Sequence, residues 1–209
     1  MRAVLLSSVC LAGLPVFAGD LSIDGGAALS FATGGDPATK PAFNAYVEGD
    51  LANFYLGASG DIYNDSTLDE VDLSLGYRNT MASGLAYDLS YTRNFFPNVG
   101  GNCCGDIGVI LTMPLSDALS AALDTNYYPE DKLAAAHVSM DYELNDKITL
   151  TGKVGVVPNA SAPNTQELEL LARYALGTES ALRLHYYDGS DYKPYLGLEL
   201  TWDTTQPGG

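Results

Sequence analysis

The chain has 209 residues, with 26 acidic against 10 basic side chains, a formal charge of −16 and a mean hydropathy of +0.02. An apolar share of 46% is enough to build a packed fold, which excludes disorder, and the acidic balance excludes a nucleic-acid partner, because phosphate binding needs clustered Lys and Arg. After the N-terminus no stretch approaches the roughly 18 uncharged apolar residues of a membrane-spanning helix, so a β-barrel is the membrane architecture left open.

Residues 1–18 read as a secretory signal. Arg2 is the positive start, Ala3 to Phe17 the apolar run, and Val16-Phe17-Ala18 the small-residue site, with cleavage after Ala18. A lipoprotein signal at Cys10 is the rival, but Ser7-Ser8-Val9 lacks the residues expected before such a cysteine. Loss of Arg2 with the signal takes the net charge to −17 for residues 19–209. Cys10 leaves too, so Cys103 and Cys104 are the two cysteines of the exported chain. Export into an oxidising compartment permits a disulfide between them, and a link to another molecule or two free thiols stay open as well.

From Leu21 onward the chain alternates apolar and polar residues with a period of two, and turn residues interrupt it every ten to twenty positions. The first segment places Leu21, Ile23, Gly25, Ala27, Leu29 and Phe31 on one face and Ser22, Asp24, Gly26, Ala28 and Ser30 on the other. In the second, Phe43, Ala45, Val47 and Gly49 oppose Asn44, Tyr46, Glu48 and Asp50. The third sets Phe54, Leu56, Ala58 and Ile62 against Tyr55, Ser59 and Asp61. Apolar faces then recur at Val71 to Tyr77, Leu85 to Tyr91, Ile107 to Met113, Leu119 to Tyr127, Ala134 to Tyr142, Ile148 to Val156, Leu168 to Tyr174, Leu182 to Tyr186 and Leu196 to Trp202. Twelve strands result. Their odd-numbered connections, such as Ala32 to Ala42, Asn94 to Cys103 and Pro158 to Asn164, look longer than the even ones, such as Leu51 to Asn53 and Asn145-Asp146.

An even strand number, segments of nine to eleven residues and alternating loop lengths predict an all-β fold, a 12-stranded antiparallel up-and-down transmembrane β-barrel with both termini in the periplasm. A soluble β-domain with its apolar face turned inward is the competing reading. Aromatic residues decide between them. Phe31, Phe43, Tyr127, Tyr186 and Tyr192 fall toward one end of the apolar face, and Phe54, Tyr77, Tyr142, Tyr174 and Trp202 toward the other, as two interfacial girdles would. The last strand, about residues 191–202, ends Gly197-Leu198-Glu199-Leu200-Thr201-Trp202, resembling the signal read by the barrel assembly machinery. A short polar tail, residues 203–209, follows it.

Several elements together resemble the TorF family of small proteobacterial outer-membrane porins: Lys40-Pro41-Ala42-Phe43, Phe54-Tyr55-Leu56-Gly57, Glu70-Val71-Asp72-Leu73-Ser74-Leu75-Gly76-Tyr77-Arg78, Gly84 to Leu89 and Phe95-Phe96-Pro97, with an echo at Asp141 to Leu144 and Leu150 to Gly155. The resemblance implies an outer-membrane channel without catalytic residues. The polar face would then line a lumen. Its candidate acids are Asp24, Glu48, Asp50, Asp61, Asp72, Asp88, Asp124, Asp141, Glu143, Glu169 and Glu199, against the bases Arg78, Lys153, Arg173, Arg183 and Lys193. That surplus predicts a passive channel for small hydrophilic solutes with a weak preference for cations. The alternative is a non-conducting structural or adhesion barrel acting through its loops, with Phe95, Phe96, Cys103 and Cys104 as contacts.

No cofactor, metal site or enzymatic activity is expected. His137 and His185 fall on non-neighbouring strands, Ser139 beside His137 is no catalytic set, and the spacing of Asp61, Asp65, Asp69, Glu70 and Asp72 matches no calcium loop. The expected partners are outer-membrane lipid, the assembly machinery and small solutes.

Overall fold

The computed structural model describes residues 21–34, 41–159 and 163–204. The signal segment, Lys40 and the tail beyond Thr204 lie outside the described residues. Twelve antiparallel strands run in sequence order: β1 Leu21–Gly34, β2 Pro41–Leu51, β3 Phe54–Tyr63, β4 Glu70–Thr80, β5 Ala86–Phe96, β6 Gly101–Ser116, β7 Leu119–Tyr128, β8 Leu133–Asn145, β9 Ile148–Val157, β10 Thr165–Ala175, β11 Ser180–Gly189 and β12 Tyr192–Asp203. Each strand pairs with the next, and β1 closes on β12 from Gly26 opposite Asp203 to Gly34 opposite Tyr195. Closure leaves no strand edge unpaired, which suits a sheet with one face in lipid.

Period-two alternation explains why this chain turns its apolar side outward. A 12-stranded ring has room for an inner wall of polar side chains, so the Leu, Ile and Val positions have only the outside to face. Leu21, Ile23, Leu56 and Leu75 are more than half exposed, while the core in the ordinary sense is small: Tyr55, Ala135 and Ala181 are the buried apolar residues among those described. A soluble β-domain would show the reverse. No described helix is long and apolar enough to cross a membrane, which says nothing against crossing by strands.

Both termini of the barrel lie at one end, with the even-numbered turns at 52–53, 81–85, 117–118, 146–147 and 176–179; we call this the terminal end. The odd connections, 64–69, 97–100, 129–132, 158–164 and 190–191 among them, form the loop end. The 97–100 connection is shorter than the predicted Asn94 to Cys103, because β5 and β6 run on past their apolar stretches. β6 is the clearest case. It extends over 16 residues and takes in Asn102-Cys103-Cys104-Gly105, which the sequence places in a loop. Phe95 and Phe96 likewise end β5 half-buried and are not loop contacts.

Near the strand ends, the candidate girdle residues other than Tyr192 share strand parity with the exposed Leu, Ile, Val and Met positions. Phe31, Phe54 and Trp202 are about half exposed or more, as are Tyr127, Tyr142 and Tyr174 at a little less. Phe54 meets Tyr77 edge-on with ring centres 4.9 Å apart, and Trp202 Nε1 donates to Glu179. Phe43 and Tyr186 are half-buried; the side chain of Tyr192 lies outside the described residues. Past Trp202 the chain does not trail off. Asp203 completes β12, accepting from the Tyr46 hydroxyl at 2.6 Å, and Thr204 exchanges hydrogen bonds with Gly25 across the β1–β12 seam.

Candidate functional site

Charged groups converge on the inner wall, where Gly76 and Gly155 make room for rings. At Gly76 on β4 a Cβ would collide with the Tyr55 ring, so the glycine lets that ring lie flat against the wall. Gly155 on β9 does the same for His137, whose imidazole crosses above β9 to reach β10. These hollows widen the bore where large side chains would narrow it.

On the wall formed by β1 to β7 the charges are mostly carboxylates. Toward the terminal end, Arg78 on β4 pairs with Glu48, lies 3.5 Å from Asp50, and rests over the Tyr55 ring at 4.1 Å from its centre. Tyr55 in turn donates to Asp88 on β5 at 2.8 Å. Farther toward the loop end the partners change from cations to amides. Asn44 donates to Asp61 at 3.0 Å, and Asn94 donates to both Glu70 at 3.0 Å and Asp72 at 2.9 Å. An amide satisfies a carboxylate's lone pairs without cancelling its charge, so these acids keep a negative field toward the bore.

On the wall from β8 to β12 acids and bases alternate. His137 Nε2 lies 3.2 Å from Glu167, and His185 Nδ1 lies 2.9 Å from Glu169, two residues farther along β10. Tyr187 also bonds His185 and stacks on Tyr195, with ring centres 4.7 Å apart. Glu199 on β12 takes Arg183 at 3.1 Å and the Ser30 hydroxyl at 3.1 Å. Lys153 reaches toward Asp124 of the other wall, at 3.9 Å. Arg173 stands opposite Arg183 in the β10–β11 ladder, with Thr149 on its other side and Glu143 beyond.

Asp24 pairs with Glu48 across β1 and β2, and Asp141 accepts from Thr151. Lys193 is exposed beside the bulge between β11 and β12. Three further acids, Glu70, Asp106 and Glu167, share the inner face and escape the sequence reading. Parity would have found them. Asp106 is in step with Gly108, Glu167 with Glu169 and Glu70 with Asp72, but each lies beyond the end of its apolar run. The two histidines are brought to one strand's glutamates, yet among the described residues no cluster of His, Cys, Asp or Glu has metal-binding geometry.

Outside the strands two acids have displaced acidities. The Thr67 hydroxyl and N–H both donate to Asp65 and hold its carboxyl below the usual range. Glu130, in the 129–132 turn, is lowered by its own backbone N–H and then by Arg93.

No protein-family model matches the sequence, and no curated protein does. Solved structures match the fold. A KdgM porin superposes with a TM-score of 0.65 at 11% identity, over 86% of this chain and 98% of that one. A KdgM porin in complex with disordered oligogalacturonate gives 0.62 at 14% identity, over 86% and 98%. A NanC porin in a rhombohedral crystal form gives 0.59 at 9%, over 87% and 99%. At such identities the likeness carries the fold alone: this chain has the closed antiparallel barrel of small outer-membrane porins.

Proposed function

We propose that the protein spans the outer membrane, after export through residues 1–18, as a narrow passive channel for small hydrophilic solutes with a weak preference for cations. The observation that carries this is the direction of the contacts that basic and histidine side chains make with the acids. Arg78–Glu48, Lys153–Asp124, His137–Glu167, His185–Glu169 and Arg183–Glu199 each join strands one or two apart, along the wall and not across the bore. Such pairing lines a passage without plugging it. The unneutralised acids Asp61, Glu70, Asp72 and Asp106 on the β3–β6 wall then favour cations at close range.

The outward apolar belt and its aromatic ends support the membrane setting, and the ordered end of β12 suits recognition by the assembly machinery. Kinship with the TorF porins belongs to the same reading and rests on the motif residues between Lys40 and Pro97. The polyanion named with one KdgM structure is a poor fit to a wall of this sign. A loop-mediated adhesion barrel is less well supported, since Phe95 and Phe96 are packed at the end of β5. The test is single-channel recording of the full-length folded protein in planar bilayers. Reproducible conductance steps with a cation-directed reversal potential in asymmetric KCl are expected. An inserted but silent barrel, or anion preference, overturns the proposal.

A further inference from the structure

We propose that the Cys103–Cys104 disulfide at the loop end of β6 is a thiol-exchange site, and that opening it releases a bracket holding the 129–132 turn against the β5–β6 hairpin. The two adjacent cysteines are bonded to each other. On a regular strand neighbouring side chains point to opposite faces, so a bond between them has to disturb the alternation. The disturbance is present in the ladder. Asn94 pairs with Cys104 and Phe95 with Asn102, leaving Cys103 as an extra residue without a Cα partner on β5, a β-bulge.

That extra residue decides which way Asn102 faces. Opposite Phe95, it shares the face of Arg93 and accepts from Arg93 Nε at 2.6 Å. The same guanidinium donates from Nη1 to Glu130 at 2.7 Å, and the other Glu130 oxygen accepts from the Gly105 N–H at 3.4 Å. One arginine thus ties β5, both sides of the disulfide and the neighbouring turn together. Without the bulge Asn102 would stand opposite Phe96, turn to the other face and lose Arg93.

Exchange is directed by exposure: Cys103 is exposed and Cys104 half-buried. The thiolate of a small external thiol attacks Sγ of Cys103 and bonds to it; the Cys103–Cys104 bond breaks, and Cys104 leaves as a thiolate that takes up the proton the reagent gave up. A second molecule of thiol attacking the adduct sulfur frees Cys103 and departs as the oxidised reagent disulfide, so two thiols are oxidised for one protein disulfide reduced. Neither step depends on conduction through the lumen.

The experiment treats the folded full-length barrel in detergent with 2-mercaptoethanol, quenches in acid, and maps adducts by mass spectrometry while unboiled gels confirm that the barrel stays closed. A mixed disulfide on Cys103 of folded protein is expected. Reaction only after unfolding, adduct on Cys104 alone, or untreated protein whose two cysteines are already alkylatable overturns the site. Hydrogen exchange reads the second half. Full reduction should speed exchange at 101–104 and 129–132 by about tenfold, the effect of losing one charge-assisted hydrogen bond. Arg93→Ala with the disulfide intact removes the Glu130 contact directly and should loosen 129–132 by a similar factor. If reduction leaves 129–132 unchanged, the coupling is refuted, and this holds whether or not Cys103→Ser folds.

Discussion

Substituting alanine at Gly76 tests whether the inner wall is built around a hollow. The new Cβ would overlap Cζ, Cε1 and the hydroxyl of Tyr55, which is 8% exposed. The ring has to swing into the bore, stretching its 2.8 Å bond to Asp88 beyond hydrogen-bonding range and leaving Arg78 without the face it covers at 4.1 Å. A hydrogen bond to a carboxylate contributes about 1.5–3 kcal/mol and a half-exposed cation–π contact about 0.5–1. Alanine in a strand recovers about 0.5–1 kcal/mol relative to glycine. The net cost is about 1–3.5 kcal/mol. Urea unfolding in lipid or detergent, followed through the fluorescence of Trp202, the single tryptophan of the chain, measures it. The decisive comparison is the same substitution in a Tyr55→Ala background, where nothing remains to collide with and Gly76→Ala should be neutral or slightly stabilising. Equal costs in the two backgrounds would refute the hollow.

Three other outcomes follow from the geometry. Asp61→Asn with Asp72→Asn removes charge that amides leave uncancelled, so the reversal potential in asymmetric KCl should move toward zero; Arg78→Ala should move it the other way, at a stability cost below about 1 kcal/mol because that side chain is 44% exposed. Thr204→Ala deletes the hydroxyl that receives the Gly25 N–H at 2.9 Å, and the urea midpoint should fall by the equivalent of about 0.5–1 kcal/mol, with no change in conductance. For Asp65, the lowered pKa means its contribution to loop order is present above the ordinary aspartate range and lost as pH falls below it, so amide exchange at residues 66–68 should accelerate only there, and Asp65→Ala should show the fast exchange at every pH.

Much of this architecture is written in the sequence because a closed up-and-down barrel obeys two periodicities at once. Strand parity assigns faces, and turn residues count strands. Asp50, Asp61, Asp72 and Glu199 all take inward places on parity alone. What parity does not carry is register between strands that are not neighbours. His137 and Glu167 meet only because β9 places Gly155 between them, and the role of that glycine is set by where β8 and β10 stand beside it. Strand ends were illegible for a different reason. Apolar alternation stops short of the strand ends, but backbone pairing continues, so Glu70, Asp106, Glu167 and both cysteines lie on strands beyond the apolar stretch. A bulge then reverses the face of every residue past it, as at Asn102, without any signature in the pattern itself.

The same separation between lipid pattern and backbone pattern bears on how the charge is arranged. If the charges served only to keep the wall wet, acids and bases alike would be spread evenly around it. Instead the described wall divides. From β1 to β7 the one inward base is Arg78, set near the terminal end, while Lys153, Arg173, Arg183, His137 and His185 all stand on β8 to β11. In the proposed channel a solute would meet carboxylates on one side and mixed charge on the other, and the potential would vary across the passage as well as along it. Neutralising Asp61 and Asp72 changes the mean charge and this transverse difference together. Exchanging Lys153 for Glu lowers the mean charge but also flattens the difference. Selectivity that follows the mean alone should rise toward cations in Lys153→Glu; selectivity that depends on the division should not, and the two recordings side by side separate a simple acidic tube from a polarised one.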